Sequence, residues 1–264
     1  MFIMKFTIIV SKKDLAGMNI YEELIKKNIS DKSNVNLVVI EDETVNLKEE
    51  YFDSDYVIFA TRHQSKSGEK TLSIHFPGNF ERAEYGGIDN VLCMSAPRLA
   101  KQAFILLNKN AKDSNYLVSL EATHHGPNLK TPCFYIEIGS NKEQWLDKLA
   151  ANIIANTIIQ TIDSFETKDQ EIVIGFGGMH YCSNFNKIEL NSNITMSHIC
   201  PKYAVEKLTK DTVLEMISST KGIVNFALLD WKGLTGEQKN KLKSIFEDIN
   251  LPYKKTKDIK TINE

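Results

Sequence analysis

Runs of apolar and β-branched residues at 6–10, 35–40 and 56–60 predict three buried strands, and an amphipathic stretch at 21–28 lies between the first two. Strands alternating with helices predict a parallel or mixed sheet covered on both faces. Further strands are predicted at 71–75, 116–120, 133–138, 171–174 and 222–229, so the sheet is expected to be large.

Helices are clearest where a cap accompanies apolar periodicity. Ser140-Asn141-Lys142-Glu143 has capping-box form and opens a stretch whose apolar positions run through Trp145, Leu149, Ile153, Ile154 and Ile158. Thr235-Gly236-Glu237-Gln238 does the same for a helix carrying Leu242, Ile245, Phe246 and Ile249. A third helix is predicted at 97–107, with Pro97 in its first turn. The Lys-rich end from Lys254 reads as a frayed tail.

At 264 residues the chain can bury a sizeable core, and we expect one compact unit, a single α/β domain over residues 1–264. No segment approaches the ~18 consecutive apolar residues of a membrane span, and the apolar start is too short for a signal peptide, so no membrane association is expected. Four scattered cysteines, Cys93, Cys133, Cys182 and Cys200, form no C-x-x-C pair, which favours a reducing cytoplasm. A formal net charge of −2 argues against general coating of nucleic acid but leaves room for a local contact with one RNA end. Among the 32 basic residues only Arg62, Arg82 and Arg98 are arginines, in one central stretch. Their planar forks suit phosphate or carboxylate, although surface ion pairs would account for each one equally well.

The histidines sharpen the picture. His63, His75, His124, His125, His180 and His198 all fall near predicted strand ends or in the loops that follow. Ligands of open α/β sheets gather at the carboxyl ends of strands, so these loops can converge in space. Glu121-Ala122-Thr123-His124-His125-Gly126-Pro127 supplies a carboxylate and two imidazoles, which suit either metal ligation or acid and base work. Adjacent side chains of extended backbone point opposite ways, so only one of His124 and His125 is expected to join Glu121. In Gly175-Phe176-Gly177-Gly178-Met179-His180-Tyr181 the glycines would let backbone N–H groups approach an anion or a carbonyl oxygen, or would simply form a tight turn. This is no dinucleotide fingerprint, because His180 replaces its third glycine. His75 and His63 each sit ahead of a turn, where a satisfied core histidine is the commoner case, and Asn79 is a candidate for left-handed backbone or a ligand contact. Glu137 interrupts an apolar strand and needs a partner or a function if it is buried. Neither a G-x-S-x-G elbow nor a Walker A sequence is present.

Taken together, Thr61-Arg62-His63-Gln64-Ser65, His75-Phe76-Pro77-Gly78-Asn79, the Glu121 to Pro127 block, Glu137-Ile138-Gly139-Ser140 with Trp145, and Gly177-Gly178-Met179-His180-Tyr181 resemble the signature blocks of the archaeal and plant type of D-aminoacyl-tRNA deacylase. The resemblance runs from about residue 55 to 207, with departures at Met179, commonly small, at Ser197, commonly glycine, and at Ser95-Ala96-Pro97 in place of an Asn-Pro turn. It implies zinc dependence and a three-layer, phosphorylase/hydrolase-like α/β fold with a mixed sheet. It also implies a monomeric cytoplasmic enzyme acting at the 3′ end of D-aminoacyl-tRNA, whose ester bond is hydrolysed to free D-amino acid and tRNA. On that reading Glu121, His124 and His180 form the chemical centre, with His125 as a further catalytic candidate. Metal ligands are drawn from His75, Glu121, His124, Glu137 and His180. Arg62, His63, Asn79, Gly177, Gly178, Tyr181 and Lys202 are candidates for holding substrate. The same residues would serve a zinc-dependent amidase or carboxypeptidase-like hydrolase of a small acyl substrate, and the phosphate-capable loops leave a non-catalytic RNA-end binder as a third class.

Overall fold

The structure, a computed structural model, describes residues 3–48 and 52–261. Six strands, β1 (Phe6–Ser11), β2 (Val35–Ile40), β3 (Tyr56–Gln64), β4 (Thr71–His75), β5 (Leu117–Leu120) and β6 (Cys133–Ser140), form a sheet in the order β2-β1-β3-β6-β4-β5. All its neighbours are parallel except β4 and β6. A second, all-parallel sheet holds β7 (Glu171–Phe176), β8 (Ile194–Cys200), β9 (Val224–Leu229) and β10 (Tyr253–Lys255) in the order β10-β9-β7-β8. The mixed α/β class is as expected, but the strands are shared between two sheets rather than gathered in one.

Helices α1 (Leu15–Lys26), α2 (Pro97–Asn110), α3 (Lys142–Trp145), α4 (Lys148–Ser164), α5 (Ser183–Asn191), α6 (Lys210–Ser218) and α7 (Gly236–Asp248) fill the layers. Helices α1, α2 and α4 cover one face of the first sheet, where Ile58, Ala60, Leu72, Ile74, Ile136 and Ile138 are fully buried. Helix α2 also touches β8 and α5, so it lies between the sheets, while α6 and α7 pack against each other over the second core around Phe176, Leu229, Leu242 and Phe246.

Several sequence expectations shift. The long helix predicted from Ser140 is broken in two: Ser140 is the last residue of β6, Asn141 is the cap, and the box closes on Gln144. Asp147 then caps α4 through the Leu149 N–H, because its short side chain offers the backbone a local alternative to continued helix. The amphipathic stretch at 21–28 is the second half of α1, which starts at an Asp14 cap. Beyond Lys254 the chain is no frayed tail among its described residues, since it completes β10 against β9 and runs into a 3₁₀ turn.

Candidate active site

Strand alternation places the chemistry. In the sheet register Thr61 of β3 and Ser73 of β4 both lie beside Glu137 of β6. Residues two apart share a face, so Thr61, His63, Ser73, His75, Tyr135 and Glu137 all look away from the helix-covered side. Beyond its last paired residue, β5 continues with Glu121, whose N–H donates to the Ile74 carbonyl at 2.9 Å.

The loop after β7 is stitched to the same edge. Glu121 and Tyr181 form an antiparallel bridge, the Ala122 N–H donates to the His180 carbonyl at 2.9 Å, and the Cys182 N–H donates to the Leu120 carbonyl at 3.0 Å. Positive φ at Gly177 (98°) and Gly178 (83°) turns the chain out of β7 to make this return. The Gly177 N–H is committed to the Cys200 carbonyl at 2.9 Å, so the oxyanion role considered for the glycine pair falls to Gly178, whose amide has no acceptor among the described residues.

Glu121 is the centre. Its carboxylate is buried and neither oxygen has a hydrogen bond. Three imidazoles surround it: His180 Nε2 at 3.0 Å, His63 Nδ1 at 3.3 Å and His124 Nε2 at 3.7 Å. Burial by itself would raise the Glu121 carboxyl, but contact with His180 and the charge of His63 outweigh it and leave it below the usual carboxylate value. Glu137, also buried, accepts the Thr61 hydroxyl at 2.7 Å and lies 3.5 Å from His75 Nε2 and 3.7 Å from His63 Nδ1. Burial opposes its ionisation too, yet His63 and His75 hold it well below the ordinary range. Both of those imidazoles are raised in turn, burial being overcome by their carboxylate neighbours.

His124 and His125 do not diverge as extended backbone would require. His125 takes φ 45°, and both rings face His75, at 4.2 Å and 4.8 Å between centroids. Of the two only His124 reaches Glu121. Burial keeps both imidazoles neutral, His124 far below its ordinary value and His125 down at about 4.

A common pattern unites this trio. His75, His124 and His125 each direct Nδ1 at a backbone carbonyl, those of Phe76 (3.3 Å), Ala122 (2.8 Å) and Gly126 (2.6 Å). In the neutral His124 and His125, donation from Nδ1 fixes the tautomer and leaves Nε2 as a lone pair, the usual support for a metal-binding imidazole. His75 Nε2 is buried without a hydrogen bond. The ligand atoms of His75, His124 and His125 lie within 4.8 Å of one another, as do those of His63, Glu121 and His180 and those of His75, Glu121 and Glu137. Clustered imidazoles, buried carboxylates and orphaned buried atoms together fit a divalent cation such as zinc, whose charge would displace the protons that the carboxylates hold on His63 and His75.

Other candidates stand outside the centre. Arg62 pairs with Glu43 at 3.1 Å and lies over the Trp145 ring, while its N–H donates to the Asp14 carboxylate that caps α1. Trp145 in turn donates Nε1–H to the His63 carbonyl at 3.0 Å, so Arg62 braces the wall behind His63. Asn79 ties the 81–90 loop through the Gly86 carbonyl at 3.0 Å, with ordinary rather than left-handed backbone. Tyr181 places its hydroxyl 3.1 Å from His63 Nε2. Lys202 donates its N–H to the Gly178 carbonyl and lines a cavity of about 290 Å³ with Gly178, Met179, Tyr181 and the buried Asp230. His198 is a core residue of β8: Nε2 bonds the carbonyls of Cys93 (3.0 Å) and Ser219 (3.1 Å), and Nδ1 meets the Thr123 hydroxyl at 3.2 Å. A larger cavity, about 820 Å³, opens over His124 and His125.

A sequence model described as D-aminoacyl-tRNA deacylase matches residues 50–254. The D-aminoacyl-tRNA deacylase of Thermococcus onnurineus is 33% identical over an alignment spanning 93% of this chain and 98% of its own. That of Methanocaldococcus jannaschii is 32% identical over 96% of this chain and 100% of its own. A crystal structure of a conserved protein of unknown function, 24% identical, superposes with a TM-score of 0.90 over 99% of this chain and 98% of that one, which shows the shared fold. With the family sequence pattern extending over most of the chain and these relatives aligned almost end to end, the chain belongs to the D-aminoacyl-tRNA deacylase family.

Proposed function

We infer that this chain hydrolyses the ester joining a D-amino acid to the 3′ end of tRNA, releasing free D-amino acid and tRNA as a chirality proofreading step. The observation that carries the chemistry is the buried Glu121 carboxylate, without a hydrogen bond on either oxygen and ringed by His63, His124 and His180. Family membership supplies the substrate class.

The residues divide the work. Zinc, the metal we assign to this donor set, would be held first by Nε2 of His75, His124 and His125 and would lend its Lewis acidity to the ester carbonyl and to water. Glu121 and His180, 3.0 Å apart and open to solvent on the His180 side, accept the proton of the attacking water. Water oxygen bonds to the acyl carbon, the ester C–O bond breaks, and the same pair returns the proton to the departing ribose oxygen. The amide of Gly178, without an acceptor among the described residues, is the donor we assign to developing negative charge. Glu137 holds His63 and His75 in place, and Tyr181 fixes the far nitrogen of His63.

On this reading residues 1–264 act as one catalytic domain, monomeric and cytoplasmic. The single domain is supported by Glu121 following a strand of the first sheet and His180 a strand of the second; among the described residues no helix is long and apolar enough to cross a membrane.

Release of D-tyrosine against L-tyrosine from charged tRNA tests the proposal, with purified protein before chelation, after it, and after zinc is restored. Selective release of the D form, abolished by chelator and recovered with zinc, is the expected outcome. No release under any of these conditions overturns it.

A further inference from the structure

An ester substrate of this kind has two ends, and the two cavities beside the centre differ in a matching way. The smaller one is about 290 Å³ and is lined by Met179 and Tyr181, the chain neighbours of His180. The larger, about 820 Å³, is of a size that holds small-molecule ligands whole, with His124 and His125 in its lining.

That lining carries two exposed aromatics, Tyr85 at 74% exposure and Tyr203 at 67%. Large aromatic rings left open to water beside buried catalytic groups offer apolar area to an occupant, and an offset-stacked flat ring is one of the two arrangements they favour. Neither ring sits on a loose tether. The Tyr85 carbonyl accepts the Gly126 N–H at 2.9 Å, which fastens it directly to the His124-His125 loop, and a Cβ at Gly126 would strike Gly86 and Gly87 backbone within 2.5 Å. Asn79 bonds the carbonyls of Gly86 and Ile88 and closes the same loop. Tyr203 stands in the 3₁₀ turn at Lys202–Lys207, pinned through the Lys202 N–H to Gly178 and through the Lys202 carbonyl to Gln238.

Charge follows the same logic. Lys207 is paired with Glu81, while Glu84 and Arg82 also line the cavity. The exposed Arg82 side chain has no hydrogen bond or ion pair among the described residues. A guanidinium left free beside stacking surfaces suits a phosphate oxygen.

We propose that this cavity receives the 3′-terminal nucleotide of the tRNA, with Tyr85 and Tyr203 stacking on its base and Arg82 meeting its phosphate. Terminal unpaired bases are recognised in this manner, by stacking on aromatic side chains. The assignment rests on the deacylase reading for the identity of the nucleic acid, and its test is separable from that reading because it needs no turnover.

The test compares binding of uncharged tRNA with binding of the same tRNA trimmed of its terminal adenosine, using the full chain. Wild type is expected to prefer the intact end by roughly tenfold, from the usual contribution of base stacking. The Tyr85→Ala, Tyr203→Ala double variant should bind both alike, the Tyr85→Phe, Tyr203→Phe variant should keep the preference, and Arg82→Ala should lower the salt slope of binding by about one. Both tyrosines are exposed, so thermal melting should not move. Equal binding of the two tRNAs by wild type, or a preference that survives in the Ala double variant, overturns the proposal. In turnover, the Ala double variant should lose the same factor in kcat/KM on D-tyrosyl-tRNA and on D-alanyl-tRNA. A loss confined to D-tyrosyl-tRNA would give the cavity to the amino-acid side chain instead. Nucleotide-dependent binding without any hydrolysis would overturn the deacylase reading and leave this one standing.

Discussion

The two faces of the six-stranded sheet are built from alternate residues of the same strands, yet they do opposite things. On the helix-covered face Ile58, Ala60, Leu72, Ile74, Ile136 and Ile138 are buried against apolar neighbours. Turned the other way, Val57, Phe59, Cys133 and Tyr135 start an apolar patch that gives way, one or two residues on, to Thr61, His63, Ser73, His75 and Glu137. The first face lowers the free energy of the fold, at roughly 1.5–3 kcal/mol per large side chain. The second holds buried polar atoms without partners, including Thr71 Oγ1, Ser73 Oγ, His75 Nε2 and both Glu121 oxygens. Such atoms raise the free energy of the fold and persist where binding or chemistry uses them.

The sharpest break between the faces is chemical. Glu121→Gln keeps shape and volume but removes the negative charge that faces three imidazoles. We expect kcat on D-tyrosyl-tRNA to fall about 10³-fold, in the range of a lost general acid or base, with an unchanged melting curve. Turnover within a few-fold of wild type would remove Glu121 from the centre. The counterpart is Ile136→Ala, at the central strand on the opposite face, fully buried. It should cost about 3 kcal/mol in urea unfolding from the cavity it leaves, while the kcat of the folded fraction stays near wild type.

These faces were partly legible in the sequence. A nearly continuous apolar run at residues 133–138 marked the strand, and Glu137 stood out as the carboxylate that interrupts it. The Glu121 to Pro127 block announced its donors because several chemistry-bearing residues are contiguous there. His63 was placed only at the margin, as a substrate contact, since its partners Glu121 and Glu137 lie 58 and 74 positions away and meet it only through sheet register. Tyr85, Tyr203 and Asp230 gave no signal at all: each is a common residue in a loop or turn, and its meaning comes from the cavity it lines. The helix break at Asp147 and the convergence of His124 with His125 were hidden for a local reason. One depends on a side chain capping its own backbone, the other on a left-handed φ at a non-glycine residue.

A finer comparison sets His198 against the clustered histidines. His198 is buried, donates Nε2–H to two carbonyls, and is pushed down to about 4 by burial. Its folded value lies below the unfolded 6.5, so the unfolded chain binds the extra proton. Stability from this group is present above pH 6.5 and is lost as pH falls toward 4, on the order of 3 kcal/mol. A His198→Asn variant should be less stable at pH 7 and show a flatter decline between pH 6.5 and 4 in denaturant titrations. A decline as steep as that of wild type would assign acid sensitivity elsewhere.

The smallest expected effect probes the cost of the polar face itself. Ser73 is buried on β4 beside Glu137, and its hydroxyl has no hydrogen bond in the fold. An unpaired buried hydroxyl is destabilising, so Ser73→Ala removes a liability and adds no cavity larger than an oxygen atom. Unfolding free energy should rise by on the order of 1 kcal/mol. If the hydroxyl serves the reaction by holding a water or a substrate atom near Glu137, the same change must lower kcat/KM while it raises stability. A variant that gains stability and keeps full activity would show that the polar face extends further than the chemistry requires. A variant that loses stability would show that Ser73 is satisfied in solution and would leave Thr71, His75 and Glu121 as the holders of unpaired atoms named on this face.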